Sequence, residues 1–154
     1  MDNQLQHSEL NMGEVLVIVP VFHPIYLSKI VKTDRSIVYN KRAPLNIVKE
    51  ACLEFGCDFQ GRIKGFKKMI KKNQYQIPII VNQRPNVVMQ PTMSYKNEKC
   101  VWINAINIIK DRSIEHTDGA FHIQTAEGDM KIACKDSIYS KMNENMNKIN
   151  WWLF

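Results

Sequence analysis

The residues of this chain best suited to chemistry are its cations. After Asp58 the sequence reads FQGRIKGFKKMIKK, placing Arg62, Lys64, Lys67, Lys68, Lys71 and Lys72 within eleven residues and no acid among them. Gly61 and Gly65 bracket the arginine. Lysine offers a compact charge to a phosphate oxygen and arginine a flat, forked donor, so the set suits a polyanion. Residues 29–72 hold twelve Lys and Arg against four acids, Asp34, Glu50, Glu54 and Asp58; the rest of the chain holds nine against eleven. The formal net charge of +6 is thus segregated. Such a field attracts nucleic acid, an anionic membrane or an acidic protein, and speeds the encounter with each. An ordinary solvated lysine face would only keep the chain soluble.

The other reactive residue types are dispersed. His7, His23, His116 and His122 form no acid–base pair by spacing, and no acid–lysine constellation of a metal-dependent nuclease occurs. Cys52, Cys57, Cys100 and Cys134 include no Cys-x-x-Cys pair, and no His-x-x-x-His follows, so they read as free buried thiols rather than zinc ligands. Cys100 opens an apolar stretch and reads as core, not as a nucleophile. The expectation is no enzyme, no metal and no cofactor. Tyr75, Trp102 and Phe121 could stack the bases of single-stranded nucleic acid, but their residue types assign them first to a core.

These residues must be held by a scaffold. A chain of 154 residues can bury a core of its own, and no repeat or low-complexity segment divides it, so residues 1–154 are expected to form one domain. Met1 to Gly13 is polar and expected to be disordered. No signal peptide opens the chain, and the longest apolar run, Val15–Phe22, is too short to span a bilayer. With reduced thiols, that points to the cytoplasm. EVLVIVPVF reads as a strand ended by Pro20, and YLSKIVKT with RSIVYN as a hairpin. Pro44 suits a first helical position. Leu45, Val48, Cys52 and Phe55 make one apolar stripe, and Gly56 a left-handed cap, giving a helix over about 44–56.

Further on, IPIIV and VVMQP flank an NQRPN turn, and CVWINAINII reads as a long strand. AFHIQT and MKIAC form a hairpin in which Gly128 supplies positive φ. Asp136 caps a last helix, about 137–152, with Ile138, Met142, Met146, Ile149 and Leu153 along one face. The fold class expected is α+β: a mainly antiparallel β-sheet with one central and one C-terminal helix. The basic run admits two readings. Ile63, Phe66 and Ile70 keep a helical spacing, which would make residues 45–72 a helix-turn-helix. Two interior glycines would each cost that helix about 1 kcal/mol, which favours a glycine-hinged loop that brings backbone close to a surface and projects Arg62 into it.

The stretches PLNIVKEACLEFGCDFQGRIKG, PIIV, QPT and CVWINAINI resemble the ComK family of competence transcription factors of Gram-positive bacteria. The hallmarks are Pro44-Leu45, Phe55-Gly56, the run Phe59, Gly61, Arg62 and Gly65, then Pro91-Thr92 and Cys100-x-Trp102-Ile103. Their order and spacing carry the resemblance, from about Ile30 to Ile109. It implies a sequence-specific DNA-binding activator of DNA-uptake genes, associated with the nucleoid, that recognises paired A·T-rich boxes largely from the minor groove. A homodimer or dimer of dimers is implied, with RNA polymerase and regulatory adaptor proteins as partners and no membrane. The residue chemistry agrees: narrow A·T minor grooves favour inserted arginine, so Arg62 is the expected reader. Gly61 and Gly65 would give it reach, and Lys64, Lys67, Lys68, Lys71 and Lys72 would neutralise phosphates.

Longer members continue into a polar tail, and a sequence stopping at Trp151-Trp152-Leu153-Phe154 reads as a short, tail-less member. The alternative functions are a regulatory partner of a longer member, without activator function of its own, and a sequence-tolerant single-strand or RNA-binding module. Ile149, Trp151, Trp152, Leu153 and Phe154 crowd the last turns of the terminal helix, which either caps the protomer's own sheet or forms an oligomerisation contact, since exposed aromatics in such number mark an interface.

Overall fold

The computed structural model describes residues 10–70, 76–83 and 86–153. A 3-10 turn at Met12–Glu14 leads into an antiparallel meander of β1 (Val15–Pro20), β2 (Ser28–Lys32) and β3 (Ile37–Asn40). Two helices, α1 (Pro44–Glu54) and α2 (Phe59–Ile70), carry the chain to a second meander of β4 (Ile79–Gln83), β5 (Asn86–Pro91) and β6 (Trp102–Asn104). Because β6 pairs with β1, the meanders join into one six-stranded antiparallel sheet of order β3-β2-β1-β6-β5-β4. Then come α3 (Ala105–Lys110), a three-stranded antiparallel sheet of β7 (Glu115–Thr117), β8 (Ala120–Thr125) and β9 (Gly128–Ala133), and α4 (Asp136–Leu153). The class is α+β, as the sequence indicates.

Consecutive residues Val15–Ile18 of β1 and Val87–Gln90 of β5 are all buried. Neighbours along a strand point to opposite faces, so both faces of the large sheet are covered. Ile18 lies opposite Trp102 on one side and Ile30 on the other, which places all three on one face. There Trp102 meets Phe59 of α2 edge-on at 6.2 Å between ring centroids. The helix pair packs on this face, α1 against β1 and β4 and α2 against β4. The small sheet is tied to the large one at its hairpin tip. Ala126 donates its N–H to Arg35 O, and Tyr39 donates its hydroxyl to Glu127 at 2.6 Å. Arg35 also pairs with Asp111 and donates to Ser113 Oγ.

The ending of α1 follows from its sequence. Gly56 has φ +80°, its N–H bonds Leu53 O, and the N–H of Cys57 bonds Cys52 O. That double bond pattern is the Schellman closure, which calls for glycine at this position.

Two elements differ from the sequence reading. Residues 59–70 are helix, not a glycine-hinged loop. Asp58 caps it, its Oδ1 accepting the N–H of Gly61 at 2.7 Å. Phe59, Ile63 and Phe66, spaced four and three apart, are buried. Each such burial is worth about 1.5–3 kcal/mol, which outweighs the roughly 1 kcal/mol that each glycine costs a helix. Nor does the strand that begins at Trp102 continue through Ile109; it ends at Asn104 and α3 follows. Asn104 donates to Met12 O, and Asn107 donates to both Gly13 O and Val15 O at 2.9 Å. The two amides thereby bind the turn before β1, while Ala105 and Ile108 bury together at helical spacing.

Candidate nucleic-acid interface

Tertiary structure sorts the cations of residues 29–72. Lys29 pairs with Glu127 at 3.4 Å, Lys32 with Glu14 at 3.5 Å, and Arg35 with Asp111. All three acids come from outside the basic segment, so these three cations are neutralised across the fold. Lys41, Arg42, Lys49, Lys64, Lys67 and Lys68 stay exposed. The last three form no ion pair among the described residues. Counted at about 100° per residue, Lys64, Lys67 and Lys68 occupy one arc of α2 roughly 100° wide, beside the buried stripe of Phe59, Ile63 and Phe66. Lys71 and Lys72 lie outside the described residues.

Arg62 is not on that arc. It sits on the opposite flank of α2, where its Nη2 donates to Val81 O of β4 at 3.4 Å. Its Nε is buried and has no hydrogen-bond partner among the described residues. The expected projection of Arg62 from a loop is therefore corrected: the guanidinium lies against an edge strand, half-buried, because the helix turns residue 62 toward the sheet. Its charge draws the buried Cys52 thiol downward, but burial dominates and pushes that thiol up to about 11. Gly61 serves the cap, since a Cβ there would lie 2.8 Å from Asp58 Oδ1. Gly65 is exposed, and a Cβ there would meet nothing within 4 Å.

The rival sites dissolve into the core. Trp102 and Phe121 are buried, which removes two of the three stacking platforms, and Tyr75 lies outside the described residues. Cys100 and Cys134 are buried thiols raised by desolvation, the latter to about 11. His116 stacks on Tyr139 at 4.1 Å, its Nε2 2.7 Å from Cys134 O. Among the described residues no three His, Cys, Asp or Glu gather to hold a metal, and no helix is long and apolar enough to cross a membrane.

The terminal helix is partly as expected. Met142, Met146 and Ile149 are buried on one stripe. Ile149 is thus corrected as an oligomerisation contact, because it is spent in the chain's own core. The backbones of Trp151, Trp152 and Leu153 continue α4, their side chains lie outside what is described, and so does Phe154.

Sequence reasoning passed over one group. Phe22 and Ile25, in the loop between β1 and β2, are 77% and 56% exposed. The unbroken apolar run to Phe22 hid them, because only the register of β1 shows that its last pairing residue is Pro20.

An α+β scaffold bearing a cationic helix face with no ion pair among the described residues is of a kind that attracts polyanions. The ComK protein family model matches residues 9–145, and the chain belongs to that family. A curated relative, the competence transcription factor of Bacillus subtilis (strain 168), is 27% identical over 117 residues, covering 76% of this chain and 60% of the relative. The chain thus spans about 60% of that relative's length. No solved structure matches.

Proposed function

We propose that this protein is a DNA-binding transcriptional regulator of competence genes that recognises paired A·T-rich boxes largely through the minor groove, acting as a homodimer or dimer of dimers. The observation that carries this reading is the exposed arc of Lys64, Lys67 and Lys68 on α2, free of acidic partners, in a chain of the ComK family. Lysines so spaced neutralise phosphates along one strand and fix register without reading sequence. A helix is about 10–12 Å across, whereas the minor groove is about 6 Å wide. In this reading α2 therefore lies along the backbone at the groove's edge, and a narrower element enters. Arg62 reaches DNA only by leaving Val81 O. Paired boxes suit a two-fold assembly, each protomer taking one box.

A helix beginning at a capped turn after α1 favours a second reading, in which α2 enters the major groove. Binding to duplexes with two A·T-rich boxes at varied spacing tests both, with competition by a minor-groove-filling ligand and mass measured in solution. The expected result is displacement by the ligand, a spacing optimum, and a salt slope that flattens by about one for each Lys→Gln at 64, 67 or 68. Undiminished binding with the minor groove filled would overturn the minor-groove reading. An unchanged slope in the triple variant would remove α2 from the interface.

A further inference from the structure

The loop between β1 and β2, residues 21–27, is closed by hydrogen bonds. Val21 donates its N–H to Leu27 O, and Leu27 donates its own to Asn40 O. Inside the loop, His23 Nδ1 accepts the N–H groups of Ile25 and Tyr26 at 3.0 and 3.2 Å. Tyr26 stacks on His23 at 5.4 Å and leans on Tyr39 of β3 at 5.7 Å, which anchors one flank. Phe22 and Ile25 are left facing outward. Holding a phenylalanine in water on a hydrogen-bonded tip gains nothing for folding, so the arrangement points to a ligand.

The charges around the loop identify it. The exit of β3 is bonded to the loop's base through Ser28 Oγ, which donates to Arg42 O, and Lys41 and Arg42 are exposed there. Phe22 also borders a cleft of about 390 Å³ with Pro44, Leu45, Tyr95 and Lys96, where Glu98 is the one acid. Tyr95 packs against Phe59, the first residue of α2, at 5.1 Å, and Lys49 lies over that same ring at 5.7 Å. The apolar tip is thus linked through this cleft to the first turn of α2, with Lys41, Arg42 and Lys49 exposed around it. A second copy docking here by two-fold symmetry would bring like cations together, whereas a polyanion with an apolar interior satisfies both features.

We propose that Phe22, backed by Ile25, is an apolar wedge that enters between two base pairs of duplex DNA from the minor groove while Lys41 and Arg42 hold the flanking phosphates. The inference rests on the DNA-binding reading above and supplies the narrow element that reading requires. Apolar side chains inserted this way unstack one base step, most readily a flexible T·A step.

The test uses the full chain and a duplex with two A·T-rich boxes, 2-aminopurine replacing adenine at successive steps. Its fluorescence rises when the base unstacks. The parent should raise it at one step per box. Phe22→Ala should abolish that rise and weaken binding about tenfold or more, as loss of one aromatic–base contact does. Its salt slope should be unchanged, because no charge is removed. Phe22→Trp should restore both. Circular dichroism confirms the fold, which an exposed side chain does not support. If the parent binds but Phe22→Ala binds and unstacks equally, the wedge is wrong and the DNA reading stands. A change of mass in solution for Phe22→Ala without DNA would also overturn the wedge, assigning Phe22 to a protein contact. If the parent binds no duplex, both proposals fall.

Discussion

The two glycines of α2 should respond oppositely to the same substitution. At Gly65 a Cβ would meet nothing within 4 Å, and the residue lies exposed inside a helix. Gly65→Ala therefore gains the full difference in helix propensity, about 1 kcal/mol. In a chain of this size that raises Tm by about 2–4 °C. At Gly61 a Cβ would stand 2.8 Å from Asp58 Oδ1 and 3.1 Å from Cys57 Sγ. The Asp58 side chain must rotate away, and the cap bond it makes to the Gly61 N–H at 2.7 Å is lost. Loss of such a cap typically costs about 1 kcal/mol and up to about 2, so the propensity gain is cancelled or exceeded, leaving Gly61→Ala between neutral and about 1 kcal/mol destabilised. Asp58→Ala removes both the cap and the nearer obstruction, leaving only Cys57 Sγ. In that background Gly61→Ala should turn stabilising, a non-additivity that neighbouring sites show and distant ones do not. Urea unfolding of the four variants and the parent, read by far-ultraviolet circular dichroism, measures all of this. Gly65→Ala should leave DNA affinity unchanged, because it lies away from the lysine arc. If Gly65→Ala destabilises the protein as much as Gly61→Ala, residues 59–70 are not the helix described and the loop reading returns.

Alkylation with iodoacetamide near neutral pH should modify Cys57 first, since it is half-buried while Cys52, Cys100 and Cys134 are buried. Burial raises all three of those thiols, Cys52 and Cys134 to about 11, and leaves little thiolate to react. Peptide mass mapping that finds Cys52 or Cys134 labelled as fast as Cys57 contradicts this packing. Hydrogen bonds from Ser113 chiefly, and the Arg35 charge, hold the Asp111 carboxyl below its ordinary range. A carboxyl lowered in the folded state adds stability above its unfolded value, near 3.9, and loses it as pH falls through the folded value. Asp111→Asn should therefore be less stable than the parent at pH 7, with the gap closing below about pH 4 in urea titrations; a gap independent of pH would show that the Asp111 charge contributes nothing.

Much of the scaffold is legible in the sequence because the signals are local. Pro44 and Gly56 bracket α1, since one residue's missing N–H and the other's positive φ are fixed by covalent structure. The hairpins β2–β3, β4–β5 and β8–β9 follow from alternation and turn chemistry. The stripe Met142, Met146 and Ile149 announces α4 by spacing alone. The charge segregation was also readable without coordinates. What the chain's order could not reveal depended on sums over distant groups. Gly61 and Gly65 argued against a helix, and only the burial of Phe59, Ile63 and Phe66 against the sheet reverses that balance, because packing free energy exceeds propensity. The end of β6 at Asn104 depends on amide bonds to Met12, Gly13 and Val15, some ninety residues earlier. Which cations remain free was likewise a tertiary outcome. Glu127, Glu14 and Asp111 claim Lys29, Lys32 and Arg35, and the turn of α2 parts Arg62 from the lysines, since Coulomb attraction and helix geometry act through space rather than along the chain.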